Sequence, residues 1–455
     1  MSSQIERLHQ SFLNGSDDPV ALLERIHASQ PAVQSQTNAF VSVDFERARK
    51  TAESSWDRFR KGQARGILDG IPVGLKDLFE TAGVPTTAGS KILKDYCPVS
   101  DGVVVARLRA AGANVDIGKL NLHEFAFGPT STSSYFGPVK NPVDSRKMSG
   151  GSSGGSAAVV ASGLFLAALG TDTGGSVRIP AALCGIAGLK PTYGRVSREG
   201  VIPLSWTLDH VGPLARTVED LALVLNVIAE QPGVSWEWMR STPLDPSAPL
   251  RLFWPQGPQW QALNADLNER FEGAVEKLVR RGRVEIVRGD LPDTERVRAA
   301  QMVIIGAEAA NYHWRWLQER PGDYQPDVRE RLVSRSSYLA VQYIEALRAR
   351  TELVQTYRAW FSAQACDGII MPSVPVYPPD LDTQTVTGYG GEAADIRNIL
   401  VWFTSLFNLL GLPAVTIPVA VNAEGFSANA QIVGDYWQEE KILWIAKIWQ
   451  DLVQA

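Results

Sequence analysis

Two glycine–serine clusters, "GGSSGGS" at 150–156 and "TDTGGS" at 171–176, bracket the apolar run "AAVVASGLFLAALG". Glycine and serine in that density suit a flexible tether. A tether, however, is not expected to be spliced into fourteen largely apolar residues that must be buried. Both clusters therefore read as turns at the ends of buried elements. At the second, the strand "LFLAALG" enters and a helix starting near Gly175, "SVRIPAAL", leaves. Two glycines ahead of Ser176 let the backbone turn tightly and aim successive N–H groups at one point near a helix N-terminus. An oxyanion hole is built that way, and so is an ordinary strand–helix turn.

The rest of the chain alternates in the same manner. Residues 1–62 read as helical, with an Asp-Pro cap signal at "DPVALLERIHAS". "GIPVGLKDLF" is a short apolar strand, and "DGVVVARLRAAGANVDIGKLNL" is helix, glycine stop and strand. Residues 215–231 form an amphipathic helix with a Thr-x-x-Asp start. "PLRLFWPQ", "RVEIVRG" and "DGIIMPSVP" read as strands, and residues 294–365 as almost entirely helical. Such alternation around buried strands indicates an α/β protein with one large domain.

Composition narrows the function. A net charge of −5 gives no basic face for nucleic acid. Three scattered cysteines make neither a disulfide framework nor a zinc site, and no His/Cys/carboxylate cluster suggests a metal. Neither glycine cluster is followed by the Gly-Lys-Ser/Thr of a phosphate loop. The opening "MSSQIERLHQSF" carries charges where an export signal needs an apolar core, so a cytoplasmic protein is expected. "ILVWFTSLFNLLGLPAVTIPV" is broken by Gly411 and Pro413, and reads as a buried helix leading into a buried strand, not a membrane span.

Both "GGSSG" and "GSSGG" fit the Gly-x-Ser-x-Gly elbow of α/β-hydrolases. That elbow needs a strand before it, and "NPVDSRKMS" is a poor one. It also needs a histidine, and only His9, His27, His123, His210 and His313 exist. His210 beside Asp209 is a weak lead. A serine nucleophile here would more readily use lysine, which burial can hold neutral. Lys76, closing "IPVGLK", is the candidate, although a lysine at a strand end ordinarily snorkels outward.

The segment "GGSSGGSAAVVASGLFLAALGTDTGGSVRIPAALCGIAGLKPTYGRVS" closely resembles the signature region of the amidase signature family. The likeness is recognisable from Gly70 to Thr217 and weaker to "FNLLGLPAVTIPV". It implies a mixed central β-sheet covered on both faces by helices, with an N-terminal helical segment (1–62), a signature core (67–217) and a C-terminal part (218–455). It implies a Ser–cis-Ser–Lys triad: Ser176 as nucleophile, Ser152 as bridge after a cis bond from Gly151, and Lys76 as base and later acid. Ser153 would be a helper near the lysine. The backbone N–H groups of Thr173, Gly174, Gly175 and Ser176 would form the oxyanion hole, supported by an Asp172–Arg178 pair.

Members include free-standing hydrolases of amides, carbamates and ureas, and one component, the A subunit, of tRNA-dependent amidotransferases. "LKPTYGRVSREGV" is close to that component, whereas "EAANYHWRWLQERPGDYQPDVRERL" resembles the free-standing enzymes, and "EGFSANAQIVG" departs from the family's usual glycine-rich pattern. The expectation is therefore an amidase acting on a small non-peptide amide or carbamate through an acyl-enzyme, with glutamine-directed ammonia release as the alternative. Phe127, Gly128, Thr130, Ile202, Trp206, Trp402 and Phe403 are the candidate substrate-binding residues. No cofactor, no metal, no nucleic acid and no membrane are expected, and a monomer or homodimer is.

Overall fold

In the computed structural model, which describes residues 3–230, 249–282 and 284–454, eleven strands form one sheet running through the whole molecule. They are β1 (Phe40–Val43), β2 (Val73–Lys76), β3 (Gly118–Leu120), β4 (Ala167–Asp172), β5 (Ala187–Lys190), β6 (His210–Ala215), β7 (Leu250–Pro255), β8 (Val284–Gly289), β9 (Gly368–Pro372), and the late strands β12 (Ala414–Val421) and β13 (Ser427–Val433). The spatial order is β1-β3-β2-β4-β6-β5-β12-β13-β9-β7-β8. β10 (Thr385–Thr387) and β11 (Ala393–Asp395) pair separately. The sheet is mixed: β3, β2 and β4 are mutually parallel, as are β9, β7 and β8, while the centre is antiparallel. The strands of the last hundred residues lie in the middle, so the signature core and the C-terminal part share one core.

Strand alternation sends side chains to opposite faces. Ala167 and Leu169 of β4 join a cluster with Leu108, Leu221, Phe271 and Trp449, from four helices. Ala168, between them, joins a second cluster with Leu23, Ala52 and Val159, from three others. Ile369 and Met371 of β9 likewise pack on Ile304, Tyr357 and Leu406, whereas Ile370 faces the first cluster. The sheet is thus covered on both faces, which makes its strands the buried runs read in the sequence.

The helix Val218–Ile228 starts as expected, with the Thr217 side chain accepting from the Asp220 N–H. Gln231, the end of the expected range, and Arg283, the first residue of "RVEIVRG", lie outside the described residues. Two expectations are corrected. Residues 1–62 are not wholly helical, because Phe40–Val43 adds an edge strand by pairing with β3. The helix after the second cluster begins at Arg178, not near Gly175, and has only six residues. No described helix is long and apolar enough to cross a membrane.

Candidate active site

β2 and β4 are parallel neighbours, so their C-terminal ends reach the same edge of the sheet. Lys76 ends β2; Thr171 and Asp172 end β4. Lys76 is fully buried, and its Nζ donates to Ser152 Oγ at 2.8 Å and to Thr171 Oγ1 at 2.8 Å. Burial lowers its pKa to about 7, against the opposing pull of the Asp209 and Asp172 carboxylates. A lysine poised there can take a proton from a hydroxyl at neutral pH.

Ser152 follows a cis peptide bond from Gly151. Its carbonyl accepts from the His123 N–H at 3.1 Å and from Ser131 Oγ at 3.2 Å, and the Gly151 N–H donates to the Pro129 carbonyl at 2.7 Å. Gly151 has to be glycine: a Cβ there would come within 2.6 Å of the Ser131 nitrogen. The first cluster is therefore clamped against the 123–131 loop. The Ser153 N–H donates to the Ser176 carbonyl at 3.2 Å, joining the two clusters. No hydrogen bond links the Ser152 and Ser176 hydroxyls among the described residues.

Asp172 organises the second cluster. Its carboxylate accepts from the N–H groups of Gly175 (2.8 Å), Val177 (3.1 Å) and Arg178 (3.3 Å). The Arg178 guanidinium, also fully buried, donates to both of its oxygens and holds its pKa far below the usual carboxylate range despite burial. The expected supporting pair is present. It also corrects the oxyanion-hole assignment: the Gly175 N–H is committed to Asp172 and is not free for a substrate. The N–H groups of Thr173, Gly174 and Ser176 have no protein acceptor among the described residues. Gly175 instead serves geometry, with φ at +133° and space for a Cβ only 2.2 Å from Thr404 Oγ1. That hydroxyl donates to the Gly174 carbonyl at 2.6 Å, and Thr173 Oγ1 donates to Asp209 at 2.6 Å.

Ser153 does not bond to the lysine; its Oγ bridges the backbone N–H and carbonyl of Thr171, both at 3.3 Å. Asp209 and His210 do not form an acid–histidine pair. Asp209 turns to Thr173 and to the Leu204 and Ser205 N–H groups, and His210 Nδ1 faces the Leu208 carbonyl at 2.7 Å. Burial holds His210 neutral.

Ser176, Thr173 and Gly174 open on a cavity of about 510 Å³. Of the expected substrate-binding residues, Phe127, Gly128 and Trp402 line it. Four do not. Phe403 is fully buried in the core, and Ile202 packs with Leu78 and Phe125. Thr130 is buried on Thr132 and His123, and Trp206 lines a separate cavity of about 530 Å³. Phe403 lies beside Trp402 in the chain but is drawn into the core, where its ring stacks on Trp260. Sequence reasoning also missed Thr171, Gln301 and the arginines 298, 331, 335 and 397. A signal existed for some of these: Arg298, Gln301, Met302 and Ile305 have the 3–4 spacing of one helix face, as do Arg331 and Arg335. No group of three or more His, Cys, Asp or Glu among the described residues is placed to hold a metal ion.

The sequence model of the family described as Amidase matches residues 21–443. The A subunit of the glutamyl-tRNA(Gln) amidotransferase of Halorhodospira halophila is 35% identical over 98% of this chain and 95% of that protein. The crystal structure of an amidase superposes with a TM-score of 0.89 at 35% identity, covering 98% of both chains. The corresponding amidotransferase component of Thermotoga maritima gives 0.74 at 29% identity, covering 94% of this chain and 90% of that one. Matched in sequence across nearly its whole length and in fold to solved amidases, the chain belongs to the amidase signature family, enzymes that hydrolyse carbon–nitrogen bonds.

Proposed function

We propose that this protein hydrolyses a small non-peptide amide through an acyl-enzyme on Ser176, with Lys76 and Ser152 moving the proton. The carrying observation is the fully buried Lys76, its pKa lowered to about 7, donating to the Ser152 and Thr171 hydroxyls beside a cavity that Ser176 lines. In this reading the Ser176 hydroxyl gives its proton to Ser152 as Ser152 gives its own to neutral Lys76; one hydroxyl can donate and accept at once. Ser176 Oγ bonds to the amide carbon, and the N–H groups of Thr173, Gly174 and Ser176 receive the oxyanion. The proton then returns through Ser152 to the leaving nitrogen, which an amide requires because its anion leaves very poorly. Water repeats the sequence on the acyl-enzyme and frees the acid.

The sign of the pH dependence follows. Lys76 must be neutral to accept, so kcat/KM rises as pH passes upward through about 7 and levels above it. Ammonia release from a panel of small amides, measured from pH 5.5 to 9, checks this; a flat profile removes Lys76 as the base. Adding hydroxylamine should divert the acyl-enzyme to a hydroxamate. Failure of every amide to yield either product overturns the proposal.

A second reading is favoured by a specific finding: eight relatives at 34–38% identity, matched over 91–98% of this chain, are all amidotransferase A subunits. In that reading the same site releases ammonia from glutamine within a complex. The superposition on the amidase, 0.89 at 35% identity, supports the free-standing reading, and the relatives in sequence support the amidotransferase one more strongly. Sizing of the purified chain and co-purification from its host separate the two.

A further inference from the structure

The walls of the cavity beside Ser176 are unevenly charged. Four arginines line it, Arg298, Arg331, Arg335 and Arg397, against one carboxylate, Asp395. Two of the four are matched. Arg397 grips Asp395 through Nε and Nη2, and Arg331 donates to Asp327 at 2.9 Å behind the wall. Glu330 contributes only weak attraction to Arg397 from an exposed position. His123, beside Arg331, is kept neutral by burial and adds nothing.

The other two have no carboxylate partner among the described residues. Arg335 donates through Nη1 to the Tyr338 hydroxyl. Arg298 donates through Nη1 to the Trp402 carbonyl at 2.7 Å, and its guanidinium carbon sits 3.9 Å from the centre of the Trp402 ring. A guanidinium carries five N–H donors, and one carbonyl and a ring face leave most of them for whatever occupies the cavity. Withdrawing an unmatched cation from water is costly, and an anion of complementary shape relieves that cost. Burial lowers the Arg298 pKa to about 10, which leaves the group charged at neutral pH.

Arg298 is also placed at a definite distance from the chemistry. It lies one helical turn before Gln301, whose Nε2 donates to the Thr173 carbonyl at 3.3 Å. One turn is ~5 Å of rise, so a group held by Arg298 is a few bonds from a carbonyl seated over Thr173 and Gly174.

We propose that the cavity takes a small amide whose acyl part carries a carboxylate and no ammonium, such as the monoamide of a short dicarboxylic acid, with Arg298 and Arg335 receiving the carboxylate. The assignment of the cavity as a substrate site rests on the amidase reading above. It also goes against glutamine: the α-ammonium would meet a surplus of positive charge, because Asp395 and Asp327 are already held by Arg397 and Arg331.

The test compares glutaramate, pentanamide and glutamine with the intact protein. Glutaramate should exceed both others in kcat/KM by about tenfold or more, the scale of one charge-assisted hydrogen bond. Arg298→Met should lower the ratio of kcat/KM for glutaramate over pentanamide by about tenfold. Calorimetric titration with glutarate gives a readout independent of turnover: the wild type should bind it, and Arg298→Met and Arg335→Met should each weaken it by about tenfold with unchanged circular dichroism. Pentanamide or glutamine turned over as well as glutaramate, or no glutarate binding up to about 10 mM, overturns the charge assignment and leaves the amidase reading standing. Glutarate binding with no hydrolysis of any amide overturns the amidase reading alone.

Discussion

Ser176→Ala is expected to lower kcat for amide hydrolysis by ~10⁴-fold or more, because a nucleophile has no substitute within the relay. The structure makes the variant clean. Ser176 is held through its carbonyl by the Ser153 N–H, and its hydroxyl carries no hydrogen bond among the described residues, so its removal leaves no orphaned partner. Stability should stay within about 1 kcal/mol of wild type, as for an ordinary substitution away from a buried network. Rates with the best amide of the panel, alongside a denaturant melt, check both halves. Retention of a tenth of the activity would sink the serine mechanism. Ser152→Ala, which takes away one of Lys76's two hydroxyl partners and leaves Thr171, should also be severely impaired; normal turnover would leave Lys76 without a route to Ser176.

The largest effect on stability is expected from Arg178→Met. The Arg178 side chain donates to Asp172 twice, to the Thr404 carbonyl at 3.0 Å, to Gln431 Oε1 at 2.6 Å and to Asn408 Oδ1 at 2.7 Å, with no exposure to water. Methionine fills much of the volume but abandons the Asp172 carboxylate in the interior, at a cost of ~3–5 kcal/mol. Asp172→Asn combined with Arg178→Met should be less destabilised than Arg178→Met alone, since the uncompensated charge is gone. Urea unfolding followed by circular dichroism measures both, and a loss below about 1 kcal/mol for the single variant contradicts the argument. In the wild type, Asp172 is depressed below its ordinary 3.8, so its contribution is fully present above that value and is lost only as pH falls towards the folded pKa.

Much of the scaffold was legible because its signals are local. The strand before "TDTGGS", the Thr217 cap and the long helices of 294–365 follow from periodicity and capping. β1 was missed because "FVSV" is four residues long and becomes a strand only through pairing with β3. β6, "HVGPLA", contains a glycine and a proline that locally argue against a strand, and it is fixed by β4 and β5 on either side. The Gly175 N–H looks available for an oxyanion in the sequence, and only the folded chain brings the Asp172 side chain onto it. Phe403 and Ile202 were indistinguishable from pocket residues because burial in a core and burial against a ligand select the same side chains.

The sequence by itself determined the buried strands, the two glycine turns and the identity of the lysine and serines that a resemblance could then pair. Only the tertiary structure decided what those groups do to each other. Lys76 and Thr171 lie far apart in the chain and meet because β2 and β4 run parallel to one edge, and the 123–131 loop holds Ser152 against the same lysine. The lowered pKa of Lys76 arises from the layers packed around it, and the charge of the cavity from arginines on three helices folded over it. Desolvation and Coulomb energy depend on distance in space, and distance in sequence carries little of that information.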